Sequence, residues 1–348
     1  QGLICAACHV RTQQRYGPPR LAEPAQLGKI GADSLPHGGF TAQSAFNNSE
    51  FCRHCHQFNS NGFSLNGKLL ENTYQEWLAS DYAKRGIHCQ HCHMPDRRHL
   101  WRGIHDPTMV KKGIRVQLAS VDFRPSIGEM FNATITITNT GVGHYFPSYL
   151  TPKIFVEAAL LAKNNVILSA SKQQFIIGRE TDLNLSKEIY DTRIPPGEKL
   201  TFSYRYPIAK TADKFYVVIR VEPDHFYQRV YKNMLANKRR STESKRFLQK
   251  ALRNSQSSGF RIYEKRISLS SPPDNRITVE KDTASAPSIV KQHKNTISNT
   301  PDWNEKNITW LDFTNGKRIA AAQTKPMLLI FYAEWCPTCH AYKKIFYD

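Results

Sequence analysis

The chain has no long apolar run. Its longest, MLLIFYA (327–333), falls far short of the roughly 20 residues that a membrane-spanning helix needs, so no transmembrane segment is expected. It has no excess of acidic charge: 48 Lys and Arg stand against 29 Asp and Glu, a net charge of +19. A basic balance of this size permits anionic partners. The densest basic stretch, NKRRSTESKRFLQKALR (237–253), however, has a single aromatic, Phe247, and no nucleic-acid motif. It reads as a solvated helical face, and no nucleic-acid partner is expected. No cysteine lies outside a Cys-x-x-Cys pair, which excludes an ordinary disulfide framework with its varied spacings. The remaining proportions, 40% hydrophobic and 22% charged over 348 residues, are those of a soluble chain long enough for two or three domains. The chain opens on Gln1 and stops at Asp348, a few residues into a helix-like pattern; it is expected to be a piece of a longer protein.

The eight cysteines form four pairs, CAACH (5–9), CRHCH (52–56), CQHCH (89–93) and CPTCH (336–340). Cys-x-x-Cys-His is the attachment spacing of c-type haem. Two thiols form thioethers with the two vinyl groups, and the adjacent imidazole reaches the iron. The first three motifs fall within about ninety residues, with Cys5, Cys8, Cys52, Cys55, Cys89 and Cys92 as haem thioethers and His9, His56 and His93 as proximal ligands. Zinc is the alternative use of paired cysteines. Three pairs would leave one unmatched, and the His after each second Cys would have no role. The surroundings agree with haem. Residues 1–112 show little aliphatic periodicity and many turn signals, such as GPPR, PHGGF and NSNGF. Such a chain buries too little apolar side chain to offset its ordering entropy, and three haem macrocycles would supply the missing core. The one helical stretch is ENTYQEWLASDYAKRG (71–86), with Tyr74, Trp77, Leu78 and Tyr82 at helical spacing, the aromatics as packing residues, and Gly86 as its stop.

Each iron needs a sixth ligand or keeps an open position. Met94, Met109 and Met130 are possible, but the histidines outside the proximal positions favour bis-His ligation. His37, in the glycine-bearing LPHGGF, His99 and His105 in HLWRGIHDP, and His144 in GVGHYFP are the candidates for distal ligands. His225 is a further one, His54 and His91 sit inside motifs and are badly placed for their own iron, and His88 precedes the third motif.

The stretches CAACHVR…YGPP, CQHCHMPDRRHLWRGIHDP and NTGVGHYFP resemble a branch of the periplasmic multihaem c-type cytochromes related to the tetrahaem cytochrome of hydroxylamine oxidation. The resemblance spans roughly residues 1–230. It implies closely stacked, mostly bis-His haems that pass electrons, a periplasmic or otherwise extracytoplasmic location where haem c is assembled, and one more Cys-x-x-Cys-His upstream. The implied partners are redox proteins, either other cytochromes or quinol-linked donors.

From about residue 113 the texture changes. RVQLASVDF, EMFNATITITNTG, KIFVEAALLA, NVILSASKQQFII, KLTFSYRYP and KFYVVIRVEP follow one another. Phe131, Ala133, Ile135 and Ile137 alternate with Asn132, Thr134, Thr136 and Thr138, and Phe202, Tyr204 and Tyr206 alternate likewise. Period two with turn signals between the runs predicts an antiparallel, Ig-like β-sandwich over 113–270. A helical basic insertion is expected at about 224–256, and RIYEKRISLS is expected as the closing strand. This domain shows no catalytic constellation; its expected task is to cover the haem region and offer His144 to an iron. Residues 271–306, rich in Ser, Pro, Asn, Thr and Lys and containing His293, read as a flexible linker.

The fourth pair has other neighbours. Cys336 follows KPMLLIFYAEW, the continuous apolar run of a buried parallel strand, and Tyr342, Ile345 and Phe346 then mark one helix face. A cysteine at a strand-to-helix junction has its thiolate favoured by the helix N-terminus. Cys336 is then the nucleophile, Cys339 the thiol that resolves the mixed disulfide, and His340 a helix-face residue instead of an axial ligand. KPMLLIFYAEWCPTCHAYKK resembles the thioredoxin-like domain of periplasmic thiol–disulfide interchange proteins, and the match covers 307–348. The family's later strands and cis-proline loop do not follow. The fold expected overall is therefore multidomain: a loop- and helix-rich multihaem region, an antiparallel β-sandwich and a partial α/β thioredoxin-like unit. The function expected is electron transfer by an extracytoplasmic cytochrome fused to a dithiol module. A haem-dependent reductase of a small nitrogen or sulfur oxyanion, and a thiol–disulfide oxidoreductase coupled to the haems, are the alternatives.

Overall fold

A computed structural model describes residues 5–19, 39–120, 125–237 and 239–270, with four isolated positions beyond. The chain divides into two compact units, 1–287 and 288–348. Both the stretch read as a multihaem region and the stretch read as a sandwich lie in the first. The expected linker, His37, His293 and the CPTCH pair fall outside the described residues.

The alternating runs form two antiparallel sheets. One has the order β12-β7-β6, from Lys199–Pro207, Met130–Asn139 and Ile114–Ser120. The other has the order β14-β13-β8-β9, from Phe260–Ser268, Ala212–Glu222, Lys153–Ala162 and Gln173–Ile177. Because successive side chains of a strand point to opposite faces, Phe131, Ala133, Ile135 and Ile137 of β7 all enter the core. They join Ile154, Val156, Ala158 and Leu160 of β8 and Phe215, Val217, Ile219 and Val221 of β13. Tyr204 closes the layer with its hydroxyl donating to the Ser171 carbonyl at 2.9 Å. The turn IPPGEK works as its composition asks: Glu198 N–H bonds the Pro195 carbonyl at 3.1 Å, and Gly197 takes the positive φ of +79° that the third residue of a type II turn requires. A short hairpin, β10-β11 (Arg179–Thr181 with Glu188–Asp191), extends from the second sheet's end. NVILSASKQQFII is shorter as a strand than its composition suggests. Only Gln173–Ile177 pairs continuously, because Ser171 turns the chain by accepting from Leu160 N–H and donating to the Leu168 carbonyl. The basic insertion forms two helices, α7 (His225–Ala236) and α8 (Thr242–Ser257), the latter capped by the Ser241 hydroxyl.

Before the sheets the chain is built from short pieces. α1 (Cys5–His9), α2 (Glu50–His56) and α5 (Cys89–His93) carry the three motifs. Between them lie β1-β2 (Val10–Arg11, Gln14–Gly17), β3 (Thr41–Ala42), which pairs with β2 in parallel, and the hairpin β4-β5 (Ser64–Leu65, Lys68–Leu69). The stretch expected as one helix is two, α3 (Thr73–Leu78) and α4 (Asp81–Lys84). Ser80 is extended and its hydroxyl bonds the Trp77 carbonyl at 2.6 Å, so the side chain takes an acceptor that the helix ladder would otherwise use. Trp77 is buried and donates to the Ile87 carbonyl, as its reading as a packing residue asks, whereas Leu78 is exposed. Gly86, at φ +66°, ends α4 as expected. α6 (Pro107–Gly113) then leads into β6, with Asp106 capping Met109 N–H at 2.9 Å and Pro107 at the first helical position. No helix among the described residues is long and apolar enough to cross a membrane.

Candidate functional site

Each motif occupies a short helix in the same way. Cys at i and i+3 and His at i+4 share one helical face. The three helices meet. The buried Ser49, before α2, receives Cys89 N–H on its hydroxyl at 3.1 Å, and its own N–H reaches His88 Nδ1 at 3.3 Å. Gln90 Nε2 donates to the carbonyls of Phe46 and Asn48. Arg97, just past α5, donates to the Pro19 carbonyl and ties the third motif to the first. The thiols of Cys52 and Cys89 fall within hydrogen-bonding reach of each other, and that contact together with burial raises Cys52. The six described cysteines are all free thiols. No three His, Cys, Asp or Glu among the described residues converge as a metal-ion site.

The histidines carry the chemical information. His9 Nδ1 lies 2.8 Å from the Tyr16 carbonyl, His93 Nδ1 2.5 Å from the Arg102 carbonyl, and His144 Nδ1 2.9 Å from the Tyr145 carbonyl. A carbonyl only accepts, so in each case Nδ1 carries the proton and Nε2 keeps its lone pair, the tautomer a metal-bound imidazole adopts. Burial pushes His93 below its ordinary value and His144 down to about 4, which favours the neutral imidazole in both. The His93 and His144 rings lie with centroids 6.3 Å apart and planes only 12° from parallel. Two imidazoles that share one metal through Nε2 at about 2 Å would put their ring centres roughly 6 Å apart, and this pair stands at that spacing. His9 and His99 are 5.9 Å apart with planes at 57°, a second pair at that spacing, and Phe46 stacks on His9 at 5.0 Å.

The other candidates lie elsewhere. His105 is exposed, with Nε2 3.1 Å from Asp224 Oδ2. His88 and His91 cap α5 reciprocally. His54 and His56 are exposed on α2. His225 packs on Phe155 at 5.5 Å, and its buried Nδ1 has no hydrogen-bond partner. Met94 forms the C-cap of α5, Met109 lies in α6, and Met130, partly exposed, opens β7.

What the sequence did not disclose is a set of buried ionic contacts, one of which, Glu76–Arg193, borders the His144 segment. Glu76 of α3 and Arg193, which follows β11, are paired at 3.1 Å with both side chains 4% exposed. Arg193 also clasps Asp191 through Nε at 2.8 Å and Nη2 at 2.9 Å. Arg179, fully buried, holds Glu188 at 2.8 Å and the carbonyls of Leu65, Lys68 and Leu69. Lys153, also fully buried, donates to the carbonyls of Leu150 and Arg179. Charged residues are usually solvated, and no periodicity marked these as interior.

Residues 309–348 match a thioredoxin-like family model. No curated protein matches the chain in sequence. Among solved structures, a penta-heme cytochrome c552 from Thermochromatium tepidum aligns over 74% of this chain and 68% of its own, at TM-score 0.50 and 16% identity; the likeness is one of fold. The alkylpurine DNA glycosylase AlkC of Pseudomonas fluorescens, bound to DNA containing an abasic site analog, aligns over 66% of this chain and 54% of its own at TM-score 0.22 and 10% identity, too distant to carry an argument.

Proposed function

We propose that the chain is an extracytoplasmic multihaem c-type cytochrome that transfers electrons to and from redox partner proteins and carries a thioredoxin-like dithiol module. The observation that carries this reading is the state of the histidines. His9 and His93, each directly after a Cys-x-x-Cys pair, have Nδ1 committed to a backbone carbonyl and Nε2 left to bind, and His93 stands at ligand spacing from His144. Bound haem supplies one-electron chemistry. The chain's part is to hold it: Cys5/Cys8, Cys52/Cys55 and Cys89/Cys92 as thioethers, His9, His56 and His93 as proximal ligands, His144 opposite His93 and His99 opposite His9. Around the motifs Phe40, Phe58, Phe63 and Trp101 are exposed large side chains, an apolar surface that macrocycles would cover. The fold likeness to a protein described as a penta-heme cytochrome supports the same reading. Produced with haem-maturation machinery, the chain is expected to gain three haems by intact mass. Four would place haem on CPTCH and overturn the dithiol assignment; none would overturn the cytochrome reading.

The thioredoxin-like match over 309–348 favours a second activity at the C-terminus. There Cys336 attacks a disulfide and Cys339 resolves the mixed disulfide. In the complete protein, Cys336→Ser is expected to lower disulfide reductase activity by more than about 100-fold and to leave haem reduction by a small donor unchanged. Undiminished disulfide reduction in that variant would remove the dithiol from the account.

A further inference from the structure

We infer that the buried Glu76–Arg193 pair is the positioning device that presents His144 to the iron opposite His93, an inference that rests on His144 being an axial ligand. The contacts run in one short line. Glu76 Oε2 accepts Tyr145 N–H at 3.1 Å, and the Tyr145 carbonyl receives His144 Nδ1 at 2.9 Å. The residue that fixes the tautomer and orientation of the His144 ring is thus itself fixed by Glu76. The same Glu76 oxygen accepts from the Ser148 hydroxyl at 3.3 Å, so the carboxylate grips the chain on both sides of Phe146 and Pro147.

Arg193 completes the clamp. Its Nη1 bonds Glu76 Oε1 at 3.1 Å and the Ser148 carbonyl at 2.8 Å, and its guanidinium lies over the Tyr145 ring, 5.2 Å from the centroid. Asp191 holds its other edge with two bonds. On the far side, Asn139 Nδ2 donates to the His144 carbonyl at 2.9 Å and to the Ile194 carbonyl at 3.0 Å. Gly143 lies so close to α3 and α4 that an added Cβ would meet Tyr82 at 3.2 Å and Trp77 at 3.3 Å. His144 therefore sits on a segment held on one side by Asn139 of β7 and on the other by a carboxylate from α3. Groups that orient a metal ligand from behind commonly change ligand affinity by 10–100-fold when removed. A buried ion pair is a poor source of net stability, so its presence here is better explained by the geometry it imposes.

The test uses the haem-loaded full chain and carbon monoxide titration of the reduced protein, because carbon monoxide reports an axial position that has lost its histidine. Glu76→Ala is expected to bind up to one more equivalent per chain than the parent and to show a matching high-spin fraction when oxidised. His144→Ala is expected to bind one full additional equivalent. Arg179→Met removes a charge equally buried but out of contact with the His144 segment, and is expected to lose stability with no added equivalent. If His144→Ala gains an equivalent and Glu76→Ala gains none, the positioning role is overturned while His144 stays a ligand. If His144→Ala gains none, the ligand assignment and this inference both fall. If Arg179→Met gains one too, the effect is general loosening and the inference fails. Should Glu76→Ala not accumulate, Glu76→Asp, which withdraws the carboxylate by one methylene, is expected to show a partial extra equivalent; parent-like binding in Glu76→Asp overturns the inference.

Discussion

Produced without haem attachment, the chain is expected to keep amide protection across Phe131–Val221 and to lose it, by roughly 100-fold or more, across most of residues 5–19 and 39–112. The burial pattern decides this. Of the 29 buried hydrophobic residues among those described, only Leu65, Leu70, Trp77 and Val110 precede residue 113; the others belong to the sheets and their connections. Opening free energy follows local burial of apolar surface, from near zero where there is little to the global value in a packed core. The three motif helices are too short to persist alone, and hydrogen bonds through Ser49 and Gln90 cannot replace a core. One part of the first third should escape. The β4-β5 hairpin hangs from Arg179 by three carbonyls, and Leu65 and Leu70 pack on Leu150, so amides near 65–70 are expected to exchange with the sheets. Hydrogen exchange read by mass spectrometry on matched haem-free and haem-loaded chains would show the contrast. Equal protection of residues 5–19 and 39–60 in both would mean that this region needs no macrocycle as filler, and the argument from missing core would be withdrawn.

The parts legible from sequence share a physical reason. Alternation in FNATITITNT predicts burial because strand side chains have a fixed period, and Phe131, Ala133, Ile135 and Ile137 are all at or below 2% exposure. The insertion at about 224–256 was readable as helical, but its division into two helices, the second capped by Ser241 with Phe247, Leu248, Ala251 and Leu252 at helical spacing, was not. The break at Ser80 was not, since Ser serves both as a helix interior residue and as a boundary, and its hydroxyl's choice of the Trp77 carbonyl is a tertiary outcome. Nor was the choice among histidines. His99, His105 and His144 look alike as loop residues. Only folding shows that His144 lies beside His93 across 51 residues while His105 meets Asp224. The Glu76–Arg193 pair spans 117 residues, and a lone Glu on a helix carries no local mark that its carboxylate is buried.

Arg179→Met is expected to cost about 3–5 kcal/mol, the loss typical when one member of a buried ion pair is removed, and to lower the melting temperature on the order of 10 °C. The side chain is fully buried and makes four directed bonds: Nε to Glu188, Nη1 to the Leu69 carbonyl, and Nη2 to the carbonyls of Leu65 and Lys68. Methionine fills much of the volume but satisfies none of these acceptors, and each buried orphan costs about 1–3 kcal/mol. Glu188 keeps Asn66 and Lys68, which limits the loss. The same lattice sets the acid response. Burial alone would raise the Asp191 carboxyl, but hydrogen bonds from Arg193 and Lys68 outweigh it and hold the group well below the usual carboxylate range. A carboxylate depressed in the folded state contributes stability that is fully present above its unfolded value, about 4, and is lost as pH falls through its folded value. Denaturant unfolding followed from pH 7 to pH 2.5 should therefore show the parent losing stability below about pH 4, and Asp191→Asn should start lower at pH 7 and lose less on acidification. A parent and variant with parallel acid limbs would show that Asp191 is not the group that titrates, and an Arg179→Met melting temperature within about 2 °C of the parent would show that the lattice shapes the molecule without holding it together.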